Sequence, residues 1–271
     1  MNIATIVNQK GGVCKTTICR NLGYLLATKY NKKVLLIDLD SSGNLSNFFE
    51  LRRPSNDDAG SSRVLLDLDS DPKDFVVKTR IDNLYLLPGN ESLGKTEKDI
   101  KSDDLLPQQN RLKLQLKKIN DQFDYCFIDC PPTVTNAILV INALACSDEV
   151  LIPCPANMDA IDGVNHIINM VNTIQQYYND HLTIRGVIFT RISRKNIDRQ
   201  LLTQKLAIPR FRTYIRESSA LAEYSRAANL MFEEYEPDSK GTHDMANLAA
   251  EYLGEKFPYP DDLPNELNEF L

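Results

Sequence analysis

A lysine and a threonine after a glycine-containing loop are the residues with the clearest chemical potential. Residues 8–17 read NQKGGVCKTT, after the apolar run Ile3–Val7 and before a segment with helical spacing. A loop between a strand and a helix points backbone N–H groups at an anion, and the helix N-terminus adds partial positive charge. We expect Lys15 to reach the β- and γ-phosphates of a nucleotide and the Thr16 hydroxyl to hold Mg²⁺.

The loop departs from the common pattern G-x-x-x-x-G-K-[ST] at both outer glycines, where Gln9 and Cys14 stand. Glycine often serves where φ is positive or where the backbone crowds a ligand, and a Cβ there costs on the order of 1 kcal/mol. We therefore expect Cys14 to lower nucleotide affinity or turnover. A reactive thiol at a helix N-terminus is an alternative, although tolerance of a small side chain is the favoured interpretation.

Two aspartates end the next apolar run. Asp38 and Asp40 follow Val34–Ile37 and are two residues apart, which in an extended chain aims both carboxylates at the same side. Beside a phosphate loop they can orient an attacking water and the water shell of a metal ion. We expect both in the catalytic site and Asp38 also near the metal. The alternative for Asp38 is a cap on the turn that follows it.

A third apolar run, Tyr125–Ile128, ends in Asp129, and two prolines follow at Pro131 and Pro132. This pattern is typical of a Walker B strand, whose carboxylate binds Mg²⁺. We expect Asp129 to hold the metal through water. The prolines are expected to stiffen the loop that senses the γ-phosphate.

Residues 10–17 (KGGVCKTT) resemble the deviant Walker A motif, K-G-G-x-G-K-[ST]-[ST], of the ParA/MinD branch of P-loop ATPases. The resemblance implies that Lys10 reaches across a dimer interface to the partner's ATP, so that ATP binding builds a sandwich dimer and hydrolysis dissolves it. Residues 41–46 (SSGNLS) resemble the family's P-Q-G-N-x-[ST], which makes Asp40 the water-positioning residue, with Asp38 in support. The loop residues expected to contact the nucleotide are Lys10, Gly11, Gly12, Val13, Cys14, Lys15, Thr16 and Thr17.

The resemblance continues through the C-terminal third and so covers nearly the whole chain. In relatives, the loop after the strand at Tyr214 and Ile215 lies against the adenine. By this match Arg216 and Glu217 are candidates for cofactor contacts. An ordinary surface loop is an equal alternative for both residues.

Residues 185–216 hold nine basic residues against one acid, a net charge of +8. Such a local concentration predicts contact with phosphates, and no base-reading pattern accompanies it. We therefore expect nonspecific DNA binding, with a merely solvated charged face as the alternative. The candidate DNA-binding residues are Arg191, Arg194, Lys195, Arg199, Arg210 and Arg212.

Six short β-branched runs alternate with helically spaced segments, and this alternation must position the candidate residues. The runs are Ile3–Val7, Val34–Ile37, Leu84–Leu87, Tyr125–Ile128, Val150–Ile152 and Ile184–Phe189. The pattern predicts an α/β fold, a mostly parallel twisted sheet with helices on both faces and ligands at the carboxyl ends of the strands.

The remaining segments fit one domain. We expect a single P-loop ATPase domain over residues 1–271, with 257–271 an acidic C-terminal tail. Two polar stretches, Arg53–Ser62 and Gly89–Pro107, are interpreted as surface excursions. Since the first strand begins at Ile3, we expect no separate N-terminal DNA-binding domain.

Net charge, cysteine content and hydrophobicity limit the classes of protein to which the chain can belong. A net charge of −6 gives no global attraction to DNA or anionic membranes, so any DNA contact must be local. The six cysteines lack zinc or redox spacing, which indicates reduced thiols in a cytoplasmic protein. No segment approaches the ~20 apolar residues of a membrane span.

The resemblance implies an ATP- and Mg²⁺-dependent DNA partition ATPase. Its homodimer is expected to coat nucleoid DNA nonspecifically until a centromere-binding partner of the ParB type stimulates hydrolysis. The alternatives are a membrane-cycling positioning ATPase like MinD, disfavoured by the acidic C-terminus, and a nucleotide-binding scaffold with impaired hydrolysis. An iron protein of the nitrogenase type is also disfavoured, because no paired cysteine motif is present.

Overall fold

Seven strands form one sheet in the part of the chain that the computed structural model describes. The described residues are 1–51, 60–132, 138–155, 158–193 and 208–260, with backbone only for 158–162. The strands are β1 (Asn2–Ile6), β2 (Val34–Asp38), β3 (Val77–Lys78), β4 (Leu84–Leu87), β5 (Tyr125–Asp129), β6 (Glu149–Pro155) and β7 (Thr183–Thr190). All six strands predicted from the β-branched runs are confirmed, and the two-residue β3 is additional.

The sheet has the order β3-β4-β2-β5-β1-β6-β7. Every neighbouring pair is parallel except β3 with β4, which is antiparallel at the edge. Strands β1, β2 and β5 are therefore adjacent, and their carboxyl ends lie together at one edge of the sheet. This is the edge at which a parallel α/β sheet binds ligands.

The helices cover both faces of the sheet, so the predicted fold class is confirmed. They are α1 (Lys15–Thr28), α2 (Asn44–Phe48), α3 (Gly60–Leu66), α4 (Leu93–Lys101), α5 (Arg111–Lys117), α6 (Ile138–Cys146), α7 (Met158–Tyr177), α8 (Ser219–Ala227), α9 (Phe232–Tyr235) and α10 (Lys240–Leu253). None of the helices in these ranges is long and apolar enough to pass through a bilayer.

Alternate residues of the central strands pack into two separate hydrophobic cores. On β2, Leu35 and Ile37 join the cluster formed with α3 to α7, while Val34 and Leu36 join the cluster formed with α1 and α10. On β5, Phe127 belongs to the second cluster. This follows from the period of two along a strand, and it explains why the central strands are apolar on both faces.

The stretch Gly89–Pro107 is not the surface excursion that its polarity suggested. It contains α4, whose Leu93, Thr96 and Ile100 are at most 1% exposed. These residues recur at helical spacing, but the polar residues between them hid the pattern. In the other stretch, Arg53–Ser62, residues 53–59 lie outside the described part of the chain, and α3 begins at Gly60.

Residues 209–217 run beside β7 and bring the predicted adenine loop to the sheet. Parallel bridges join Val187 to Arg210 and Ile192 to Arg216. The N–H of Ile215 donates to the carbonyl of Phe189 at 2.8 Å. The expected strand at Tyr214 and Ile215 is therefore replaced by an extended segment with isolated pairing.

Helices α9 and α10 close the fold over α1. The N–H of Phe232 donates to Asn21 Oδ1 at 3.0 Å, and Arg80 pairs with both oxygens of Glu234. Helix α10 packs directly on α1. The helix that follows the phosphate loop is thus buried between the sheet and the C-terminal helices.

Candidate functional site

The loop between β1 and α1 has the backbone of an anion-binding turn. Gly12 and Cys14 both have φ of 72°, in the left-handed region, and α1 begins immediately at Lys15. No side chain caps the first turn of α1. Its N–H groups are thus available to a ligand, which is the arrangement that binds phosphate at a helix N-terminus.

The ammonium of Lys15 is held by its own loop. Its Nζ donates to the carbonyl of Asn8 at 3.2 Å and to the carbonyl of Lys10 at 3.0 Å. Burial lowers the pKa of Lys15, and the charge of Asp129 opposes that shift. A buried cation held by two neutral carbonyls is suited to exchange them for the oxygens of a phosphate.

Thr16 and Asp129, both predicted to lie at the metal ion, are in contact. The Thr16 hydroxyl donates to Asp129 Oδ2 at 2.6 Å, while Asp129 Oδ1 is buried without a partner. Burial, followed by the charge of Asp38, raises the pKa of Asp129 well above its usual range. A hydroxyl beside a carboxylate with one unpartnered oxygen offers oxygen donors of the type that Mg²⁺ takes, so these two residues fit that ion.

The carboxylate of Asp38 lies inside the protein. It is fully buried and accepts hydrogen bonds from the N–H of Asp40 at 3.1 Å, and from the N–H and hydroxyl of Ser46 at 2.9 and 2.7 Å. Burial raises the pKa of Asp38 to about 6. The Ser46 hydroxyl also accepts from the N–H of Gly89 at 2.9 Å. Asp38 thereby fixes the loop that carries Asp40.

Asp40 faces a cavity of about 610 Å³. Its Oδ1 accepts a hydrogen bond from the N–H of Ser42 at 2.9 Å. The cavity wall also contains residues 11–17 and the loop 215–219, so the phosphate loop, Asp40 and the predicted adenine loop surround one space. Of the other predicted residues, Lys10 is half-buried and, like Asp38 and Asp129, is not part of this wall.

Arg216 and Glu217 both line the cavity, but each has a partner within the chain. The Arg216 guanidinium donates to both oxygens of Asp244 at 2.8 and 2.7 Å. Glu217 lies 3.4 Å from Arg191. The Arg216–Asp244 pair therefore anchors the loop that carries Arg216 to α10, and the same loop lines the cavity.

Folding places acidic residues beside the basic segment 185–216. The ion pairs are Arg185–Glu149, Arg191–Glu217 and Arg216–Asp244. Glu251 also accepts from the N–H of Arg212 at 2.6 Å. The positive potential here is consequently weaker than the net charge of the segment suggests.

Half of the predicted DNA-binding residues are described. Arg191 and Arg212 are exposed and Arg210 is half-buried, on the segments that flank β7. The other three, Arg194, Lys195 and Arg199, lie outside the described residues.

Arg20, Phe48 and Arg226 are among the cavity residues that were not predicted from the sequence. Arg20 lies one helical turn after Thr16 and so shares its face of α1, which is the one signal that could have identified it. Phe48 and Arg226 belong to α2 and α8. Their approach to the loop depends on the tertiary fold.

Known proteins resemble this chain in sequence and in fold. A family model described as an AAA domain matches residues 1–184. The sporulation initiation inhibitor protein Soj of Bacillus subtilis is 33% identical over 254 residues, which cover 92% of this chain and 97% of Soj. The chromosome partitioning protein ParA of Caulobacter vibrioides is 30% identical over 199 residues, 72% of each chain.

Solved structures extend the likeness to nucleotide complexes. Cobyrinic acid a,c-diamide synthase of Mycobacterium smegmatis, with bound ADP and magnesium, superimposes with a TM-score of 0.75 at 28% identity, covering 96% of this chain and 99% of that one. A variant of Cyanothece McdA in complex with ATP gives a TM-score of 0.77 at 25% identity, with coverage of 96% and 99%.

The left-handed backbone of Cys14 leads to a stability prediction. An alanine there keeps the steric cost of a Cβ at positive φ, whereas glycine removes it. Cys14→Gly is therefore expected to be more stable than Cys14→Ala by about 1 kcal/mol in urea unfolding. Equal stability of the two variants, or a more stable alanine variant, would show that the loop relaxes around the Cβ.

Cys14 is also the one half-buried cysteine, since the other five are buried. Burial raises the pKa of the Cys14 thiol, so its thiolate fraction at pH 8 is below that of a free cysteine. A disulfide-exchange reagent should modify one thiol slowly in the folded protein, faster as pH rises, and all six in urea. Mg²⁺ and ATP should protect that thiol. Modification of two or more thiols at one rate would contradict the prediction.

Proposed function

This chain belongs to the AAA-domain family of ParA- and Soj-type partition ATPases, which use ATP and Mg²⁺, and from this premise we propose that it is an ATP-driven DNA segregation switch. In its ATP state it is a sandwich dimer that holds DNA nonspecifically. Hydrolysis, stimulated by a centromere-binding partner of the ParB type, returns it to monomers. We propose a single ATPase domain over residues 1–271, with 257–271 as an acidic C-terminal tail.

The contact between Thr16 and Asp129 is the observation that supports this proposal most. It places the hydroxyl of the phosphate loop on the carboxylate of β5, with Asp129 Oδ1 left for a ligand. Bound Mg²⁺ would supply charge neutralisation at the phosphates. Thr16 and Asp129 are the residues that would hold it.

The remaining site residues act around the phosphates. Lys15 exchanges the carbonyls of Asn8 and Lys10 for phosphate oxygens, which frees the backbone at Lys10. Asp40 orients the attacking water from the cavity wall. Asp38 acts through Ser46 as a positioning residue, because its own oxygens are already hydrogen-bonded inside the protein.

Lys10 serves the partner protomer in this proposal. It lies in the loop but outside the wall of its own cavity. A lysine in that place completes the site of a second copy, in keeping with the deviant Walker A motif. ATP then promotes dimerisation because the partner's phosphates neutralise the Lys10 charge.

DNA binding, and with it association with the nucleoid, is proposed for the segments around β7. Exposed Arg191 and Arg212 support it, and the sequence of residues 194–207 contains further basic residues. The ion pairs in this region reduce the expected affinity. The binding should therefore be weak and strongly salt-dependent.

A nucleotide-binding scaffold with slow hydrolysis is the second candidate function. The left-handed backbone at Cys14 favours it, because a Cβ in the phosphate loop strains the binding conformation. A MinD-like membrane role would need a C-terminal membrane helix, and residues 261–271 lie outside the described chain.

The switch predicts opposite effects of two substitutions on dimerisation. Asp40→Ala should retain an ATP-bound dimer, because the water is no longer positioned, while Lys10→Ala should remain monomeric with ATP. Sedimentation velocity with ATP and Mg²⁺ measures this directly. Turnover of Asp40→Ala should fall by about 100-fold or more.

Lys98→Ala, at an exposed position on α4, is the matched control for loss of a lysine. It should dimerise as wild type does. A Lys10→Ala protein that still dimerises with ATP would overturn the role of Lys10. Wild type that binds ATP and stays monomeric would favour the scaffold.

The DNA proposal predicts a change in salt dependence. Reversing Arg210 and Arg212 to glutamate should weaken ATP-dependent DNA retention and reduce the slope of log K against log salt by about 2. Lys73→Glu, next to β3 at the opposite edge of the sheet, is the control. Unchanged retention by a double variant that melts like wild type would exclude these two arginines.

A further inference from the structure

Arg20 is a buried cation without an acidic partner. The Arg20 residue is 3% exposed, and no carboxylate among the described residues pairs with it. Its Nη2 donates to the Ser225 hydroxyl at 3.1 Å, but Nε is buried without an acceptor. Buried arginines are normally paired, so this guanidinium retains unused capacity for an anion.

The surroundings of Arg20 make the binding of an anion beside its guanidinium more favourable. The guanidinium lies 4.0 Å above the ring of Phe48 and 5.9 Å from that of Phe232, which exclude water from its faces. Burial and then the charge of Arg226 lower its pKa to about 9. An anion placed here would offset both the desolvation and the repulsion between the arginines.

Arg20 faces the same cavity as the phosphate loop. It lies four residues after Thr16 on α1, and helical side chains lean toward the helix N-terminus. Its guanidinium is therefore directed to the turn that begins at the phosphate loop. The Arg20 donors and the loop residues 11–17 can contact one ligand.

We propose that Arg20 forms a second phosphate-binding subsite in the cavity, distinct from the phosphate cradle of residues 11–17. The ligand group is a phosphate ester carried by the bound nucleotide. It is supplied either by the 5′-phosphate nearest the ribose or by a phosphate on the ribose 3′-oxygen. The inference rests on the proposed function, because it takes the cavity to be the nucleotide site.

Calorimetric titration of a ligand series tests the subsite. The ligands are adenosine, AMP, ADP with Mg²⁺, and adenosine 3′,5′-bisphosphate, and the proteins are wild type and Arg20→Met. If Arg20 binds the 5′-phosphate, Arg20→Met weakens AMP and ADP by at least about tenfold and leaves adenosine unchanged. If it binds a 3′-phosphate, the loss is confined to the bisphosphate. Equal affinities in the two folded proteins for every ligand would overturn the subsite.

Ser225→Ala is the matched control for a purely structural role. It removes the hydrogen bond that joins Arg20 to α8 and leaves the guanidinium in place. The subsite requires Ser225→Ala to bind AMP as wild type does. A loss equal to that of Arg20→Met would instead identify Arg20 as a clamp between helices. If Arg20→Met fails to fold, Arg20→Gln, which also removes the charge, replaces it with the same requirement.

The ligand series separates this proposal from the proposed function. If wild type binds ADP and the Arg20→Met protein binds every ligand of the series, including the bisphosphate, with the same affinity as wild type, the nucleotide site stands and only the subsite is removed. Wild type that binds none of the ligands would remove both.

Discussion

Two carboxylates buried side by side are the constraint on which this structure depends. Asp38 and Asp129 are register partners at the ends of β2 and β5, and both are at most 1% exposed. Like charges in a low-dielectric interior are costly unless other groups compensate them. The chain compensates with the Thr16 hydroxyl, with the N–H and hydroxyl of Ser46, and with the nearby Lys15 ammonium.

The groups that compensate the two buried carboxylates belong to different segments of the site. Thr16 and Lys15 come from the phosphate loop, and Ser46 comes from the helix behind Asp40. The two loops are therefore anchored to one pair of charges, and a cation bound at Asp129 would change the electrostatic environment of both. In the proposed switch, this pair would couple the nucleotide state to the geometry around the attacking water, with no need for a long pathway between them.

The sequence predicts the parts of the site that depend on local pattern. Apolar runs, and the glycine and aspartate residues that follow them, are enough to predict the strands, the turn before Lys15 and the carboxylates at strand ends. Contacts between distant segments could not be predicted in this way. Arg216 pairs with Asp244 on a helix 28 residues away, and Glu149 reaches Arg185 from another strand. The net charge of residues 185–216 taken alone therefore overestimates the positive electrostatic potential of that segment. Helix α4 was missed because its buried face is short and partly polar.

The position of α10 bears on where the chain can be divided. The family match covers residues 1–184, yet Leu22, Leu25 and Leu26 of α1 share a core with residues of α10, which spans Lys240–Leu253. A fragment cut at the end of the match would leave that apolar face of α1 in water. The segment matched by the family model is therefore smaller than the unit that shares this core. Any truncated form made for crystallisation or fusion should retain α10.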